Sequence, residues 1–183
     1  MQFQTVDIPG LVVIQPAVFG DERGFFYESY RKEHFVEHGI DAEFVQDNHS
    51  KSQKNTLRGL HFQIPPHEQA KLVRVTRGRA YDVAVDIRKN SPTYGKWFGI
   101  ELSAENKTMF FVPVGFAHGF LALEDGTEFL YKVTNVWAPE HEGGIRYDDP
   151  DLSIPWQLSG AAIQNQRDAN FPLLKDLNSP FVL

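Results

Sequence analysis

Short apolar runs separated by turn residues recur along the chain, and most have the length of a strand rather than a helix. GLVVIQPAVF (10–19) is β-branched and broken at Pro16. KLVRVTRGRAYDVAVDIR (71–88) reads as two strands meeting at Arg77-Gly78, and KWFGIELS (96–103), TMFFVPVGF (108–116), HGFLALE (118–124) and TEFLYKVTNVW (127–137) continue the series. Alternation is clearest in Tyr81–Arg88. Tyr81, Val83, Val85 and Ile87 share one face, and Ala80, Asp82, Ala84 and Asp86 share the other. Ser91-Pro92, Asp125-Gly126, Gly143-Gly144 and Asp149-Pro150 punctuate the runs. Helical patterning is expected over Arg31–Gly39 and again around Asp168–Leu177, while QDNHS (46–50) reads as a loop. No internal repeat, low-complexity tract or linker interrupts the chain. The pattern predicts one β-rich domain over residues 1–183, built as a sandwich or barrel.

One strand breaks the pattern. In LRGLHFQ (57–63), Arg58, His61 and Gln63 are threaded among Leu57, Leu60 and Phe62. Strict alternation puts His61 and Gln63 on one face and Arg58 on the other. All three serve one site only if Gly59 bends the strand or permits a bulge. A strand histidine is most often a hydrogen-bonded structural residue, so His61 alone does not define a site.

Composition narrows the function classes. A chain of 183 residues without cysteine has no disulfide framework, thiolate metal site or cysteine nucleophile. The formal net charge of −6 disfavours a general binder of nucleic acid or anionic membrane, so any anionic ligand must meet locally concentrated positive charge. The longest apolar stretch, around Leu11–Ile14, is too short to cross a bilayer, and no charged leader precedes an apolar run. A soluble cytoplasmic protein is expected. Fifteen Phe, six Tyr and three Trp supply either core or the walls of a pocket for a flat or sugar-like ligand.

Further polar residues sit in apolar settings. His118 lies between Phe116 and Phe120, Lys71 opens an apolar strand, and Tyr131 sits inside FLYKV. Each also has an ordinary explanation, as a satisfied core histidine, an edge lysine and a packed tyrosine. FGDERGFFYES (19–29) combines a turn with Arg23 and Glu28, and Gln46 and Asn48 fall in QDNHS. No HxH pair is present, and His67, Glu68 and His118 lack the spacing of a β-barrel metal site, so no metal is expected.

Taken together, FGDERGFFYES, VQDNHSKSQKNTLRGLHFQ, KLVRVTRGRAYDVAVDIRKNSPTYGKW, FFVPVGFAHGFLAL, FLYKVTN and RDANFPLL, in this order and spacing, resemble the dTDP-4-dehydrorhamnose 3,5-epimerase family over nearly the whole chain. The resemblance implies an all-β, cupin-type jelly roll with short peripheral helices. It implies a homodimer that works without metal or organic cofactor. The implied substrate is dTDP-4-dehydro-6-deoxy-D-glucose, a dTDP-4-keto-6-deoxyhexose inverted at C3 and C5 in L-rhamnose synthesis. His61 would be the proton-abstracting base, Asp168 its partner, Tyr131 the proton donor and Lys71 the stabiliser of the enolate oxygen. Arg23 and Arg58 would hold the diphosphate. Glu28, Gln46, Asn48, His118, Glu142 and Arg167 match other substrate-contacting positions. The segment Arg23–Glu28 would serve the neighbouring subunit's site.

The chain departs from many relatives where they carry paired tyrosines, since it reads Asn135-Val136-Trp137. Trp137 keeps a stacking face and lacks the phenol hydroxyl. Some relatives invert a single carbon, so a 3- or 5-epimerase on a related keto sugar is the nearest alternative. A silent nucleotide-sugar-binding cupin and a metal-dependent cupin oxygenase are the alternatives of other classes.

Overall fold

The computed structural model describes residues 1–183. Its strands are β1 (Gln2–Thr5), β2 (Val12–Gln15), β3 (Phe19–Asp21), β4 (Gly24–Phe26), β5 (Gln46–Ser52), β6 (Leu57–Gln63), β7 (Lys71–Arg77), β8 (Arg79–Asp86), β9 (Trp97–Ser103), β10 (Met109–Val112), β11 (Phe116–Ala122), β12 (Thr127–Val133) and β13 (Glu142–Gly144). Two short helices, α1 (Lys32–Glu37) and α2 (Gln166–Ala169), lie at the periphery. A six-stranded sheet, ordered β1-β2-β10-β7-β12-β5, faces a five-stranded sheet, ordered β13-β6-β11-β8-β9. All pairings between these strands are antiparallel. This is the cupin-type jelly roll that the resemblance implies. The hairpin of β3 and β4 stands apart from both sheets.

Alternation explains how the layers close. Val73, Val75, Phe110 and Phe129 from one sheet meet Ala80, Ala84, Leu102 and Phe120 from the other in the central core. The outer face of the five-stranded sheet carries Val83, Val85 and Ile87, covered by Ile145, Leu152, Ile154 and Phe181 of the C-terminal segment. The outer face of the six-stranded sheet carries Val12, Ile14, Leu72 and Met109 against Phe35 of α1 and Ile40. Both faces of β8 are therefore dry, and the acids buried there, Asp82 and Asp86, require partners. Asp86 accepts from Arg88, Ser91 and Thr93.

Two sequence expectations differ from the structure. Instead of a helix over Asp168–Leu177, α2 ends at Ala169 and a separate 3-10 turn spans Leu174–Asp176. Pro172 lacks an N–H and disfavours helical backbone at Phe171. The helix starts earlier because the Asn165 side chain accepts from the Asp168 N–H at 2.7 Å and caps it. The second difference is QDNHS, which is not a loop but most of β5, paired along β12 from Val133↔Gln46 to Thr127↔Ser52. Both faces of β5 are polar. Gln46, Asn48 and Ser50 are half-buried, whereas Asp47, His49 and Lys51 are exposed. Hydrophobic periodicity has nothing to register in such a strand.

Candidate active site

A cavity of about 360 Å³ opens between the sheets, with its wall drawn from β5, β6, β7, β11 and β12. Strand β6 supplies Arg58, His61 and Gln63 to it together. Strict alternation forbids this, and the break lies where the sequence places a glycine. Gly59 has φ +129°, and the β6–β11 register shifts between His118↔His61 and Phe120↔Arg58. A Cβ on Gly59 would lie 2.5 Å from Gly119 Cα and 2.9 Å from the His118 carbonyl oxygen. The bulge thus needs both the positive φ and the bare α-carbon. Gly59→Ala is expected to destabilise the fold by about 3 kcal/mol, read as a lowered denaturation midpoint at unchanged slope.

His61 Nε2 donates to Asp168 Oδ1 at 2.8 Å, and the Gly59 N–H donates to Asp168 Oδ2 at 3.1 Å. The carboxylate is 1% exposed. Burial pushes the Asp168 carboxyl up, but the His61 hydrogen bond and charge and the Gly59 N–H outweigh it, so it lies below the usual range. With Nε2 engaged, His61 has Nδ1 left for chemistry. Asn165, by capping α2, sets the position of Asp168, and the ring of Phe171 meets His61 edge-on at 5.7 Å.

Lys71 opens β7, and its ammonium makes only a long contact, 3.4 Å, to the His61 carbonyl oxygen. Burial lowers its pKa to about 8, while Glu142 and Asp82 act in the opposite direction. Tyr131, on the neighbouring strand, is held above the ordinary phenol range chiefly by burial. His118 lies across from His61 on β11, and both Asp82 carboxylate oxygens are 2.9 Å from its Nε2. Phe120 and Phe129 stack at 3.9 Å between ring centroids as the apolar part of the wall.

At the mouth, the Trp137 indole N–H and Arg167 Nη1 both donate to Glu142 Oε2, at 3.0 and 2.6 Å. Gln46 Oε1 accepts from the Trp137 backbone N–H, and its Nε2 donates to Asn48 Oδ1. Gln63 fastens the same loop through the Val136 carbonyl and the Ala138 N–H.

Of the residues singled out from the sequence, His61, Lys71, Tyr131, Asp168, Gln46, Asn48, Arg58, His118, Trp137, Glu142 and Arg167 line this one cavity. Arg23 and Glu28 do not. Arg23 is exposed on the β3–β4 hairpin and paired with Asp21, and Glu28 pairs with Arg31 and His34. Sequence reading missed Asp82, Asn165 and the anchoring role of Gln63. An acid among Ala80 and Ala84, and an asparagine three residues before an aspartate, were the available signals. Nowhere do three or more His, Asp or Glu side chains converge to hold a metal ion.

A family model described as dTDP-4-dehydrorhamnose 3,5-epimerase matches residues 5–176. The chain is 54% identical over 168 residues to the dTDP-4-dehydrorhamnose 3,5-epimerase of Salmonella typhimurium, covering 91% of this chain and 92% of that protein. Its fold superimposes with a TM-score of 0.93 on a dTDP-6-deoxy-D-glucose-3,5-epimerase from Legionella pneumophila crystallised with dTDP-4-keto-L-rhamnose. That protein is 47% identical, with 97% of this chain and 94% of the other covered. A 3'-monoepimerase from Streptomyces bikiniensis, in complex with dTDP-quinovose, is similar at 32% identity and a TM-score of 0.88, covering 93% of this chain and 86% of that one.

Proposed function

The chain belongs to the dTDP-4-dehydrorhamnose 3,5-epimerase family, and from that premise we propose that its cavity inverts C3 and C5 of dTDP-4-dehydro-6-deoxy-D-glucose, a step of dTDP-L-rhamnose biosynthesis. The family places it among isomerases acting on carbohydrates. The observation that carries the assignment of roles is the meeting of His61, Asp168, Lys71 and Tyr131 in one cavity.

Both carbons flank the C4 ketone, which acidifies their protons. His61 Nδ1 takes the proton while Asp168 holds Nε2–H and steadies the imidazolium that forms. The electron pair moves onto the ketone oxygen, where the Lys71 ammonium meets the enolate. Reprotonation from the same nitrogen would restore the starting centre, so inversion needs a donor on the opposite ring face. Tyr131, held protonated by its raised pKa, fills that role. Arg58 meets the diphosphate with a planar fork of donors, and Trp137, Glu142 and Arg167, with Gln46 and Asn48, close around the rest of the ligand. Each step uses the chain's own side chains.

The deciding experiment follows deuterium from solvent into C3 and C5 and reads product stereochemistry by NMR. Double inversion is expected, and absence of exchange at either carbon would overturn the double epimerase. Inversion at one carbon is the second reading, favoured by the similar 3'-monoepimerase and by the indole at Trp137. Tyr131→Phe is expected to depress inversion roughly 10- to 100-fold more than exchange, and equal losses in both would remove Tyr131 from the donor role.

The functional unit is a homodimer in which Arg23 and Glu28 reach the neighbouring subunit's cavity. Supporting this, Phe19, Phe25 and Phe26 on the arms of the β3–β4 hairpin are 66%, 63% and 71% exposed in the single chain, an apolar surface that suits burial in a partner. Arg23→Ala and His61→Asn proteins, each inactive alone, are expected to regain activity on mixing. An absence of complementation after confirmed subunit exchange would count against the shared site. A cytoplasmic location fits this reading, and no helix is long and apolar enough to cross a membrane.

A further inference from the structure

The cavity holds a second histidine–carboxylate pair for which the proposed steps have no use. His61 and His118 are direct cross-strand partners, and each turns Nε2 toward a buried aspartate. Asp82 is fully buried and His118 is 6% exposed. As a carboxylate, Asp82 only accepts, so His118 Nε2 must carry the hydrogen. No atom of the chain hydrogen-bonds to His118 Nδ1. The sealed polar atoms without partners are confined to His67, Glu68, His141 and Gln164. Nδ1 therefore opens onto the cavity that His118 lines.

We propose that Asp82 fixes His118 as the Nε2–H tautomer, so that Nδ1 accepts a hydrogen bond from a ring hydroxyl of the keto sugar and selects for substrates that carry it. Asp82 is then a positioning residue acting through His118. The inference rests on the keto-sugar reading above. A donor for the enolate oxygen is already supplied by Lys71, which leaves the unpartnered Nδ1 of His118 free to act as an acceptor. Burial, with the charges of Lys71 and His61, lowers the His118 pKa against the pull of Asp82. The ring is accordingly neutral near pH 7 and a poorer base than an unperturbed imidazole, suited to accepting a hydrogen bond rather than a carbon proton. In a sugar linked through C1 with its ketone at C4, the ring hydroxyls are those on C2 and C3. A site built to bind a hydroxyl rejects the analogue lacking it, because the buried acceptor is left unpaired.

The test begins with wild-type protein labelled with ¹⁵N-histidine at neutral pH. A His118 ring with unprotonated Nδ1 and protonated Nε2 is expected, and a protonated Nδ1 overturns the proposal. Asp82→Asn offers an amide donor to Nε2 and so favours the Nδ1–H tautomer. Its KM is expected to rise roughly 10- to 100-fold with kcat little changed, the mark of lost uniform binding. A fall in kcat at constant KM would instead make His118 a donor to the enolate and overturn the assignment. The 2-deoxy and 3-deoxy forms of the keto substrate, followed by deuterium entry at C5, complete the test. One of them should show the same KM with wild type and Asp82→Asn, and an undiminished penalty for both also overturns it. If Asp82→Asn fails to fold, the wild-type ¹⁵N spectrum and the ratio of KM values for parent and deoxy substrates decide. A wild type that incorporates no deuterium from any substrate defeats the keto-sugar reading itself, whichever tautomer the spectrum shows.

Discussion

His61→Asn is expected to lower solvent deuterium incorporation at both C3 and C5 by roughly 10³-fold or more, since a positioned general base contributes on the order of 10²–10⁴. Both carbons should fail together, because one imidazole serves the two positions flanking a single ketone. The substitution is small and polar, and His61 is only partly buried, so the folded state should survive it. It leaves Asp168 hydrogen-bonded to the Gly59 N–H. Substrate binding should change little, since Arg58 and the residues of the mouth remain. Loss at one carbon with retention at the other would require a second base and overturn the single-base reading.

The Lys71→Met variant carries the second large effect. Removing one donor from a developing oxyanion costs roughly 10²–10³ in kcat, and methionine keeps the bulk and flexibility of the stem. The pH profile makes the prediction specific. Burial brings the Lys71 ammonium of the free enzyme to about 8, so kcat/KM should fall as pH rises through that value, when the charge that meets the enolate is lost. A thioether has nothing to titrate, so the variant should lose this descending limb along with its rate.

Stability carries the opposite sign. The folded pKa of about 8 lies below the ordinary lysine value of 10.5, so between these limits the unfolded chain binds more protons than the folded one. Stability from this group therefore rises with pH across that window, even as activity declines. A profile whose basic limb survives in the Lys71→Met variant would assign the limb to another group.

Much of this was legible before any coordinates. The period-2 alternation of Tyr81–Ile87 is the face pattern the sheet uses, and Arg77-Gly78 is the junction of β7 and β8. The polar trio of LRGLHFQ marked a strand under two demands, and Gly59 marked the place where both are met. Strand β5 was not legible, because its register is set by pairing with β12 and not by apolar residues of its own. Asp168 was reached through family resemblance alone. It stands 107 residues from His61, and no spacing rule spans such a gap.

Local sequence was enough to locate most strands, the turns between them, and the polar groups out of place among apolar neighbours. These follow from conformational preference and from what each side chain loses on leaving water. Which of those groups share a cavity was a matter for the folded chain. Folding bulged β6 at Gly59, seated Asp82 and Asp168 each behind its own histidine, and left Lys71 nearly without partners. Such pairings depend on how two sheets stack, and the contacts that fix the stacking join residues far apart along the chain.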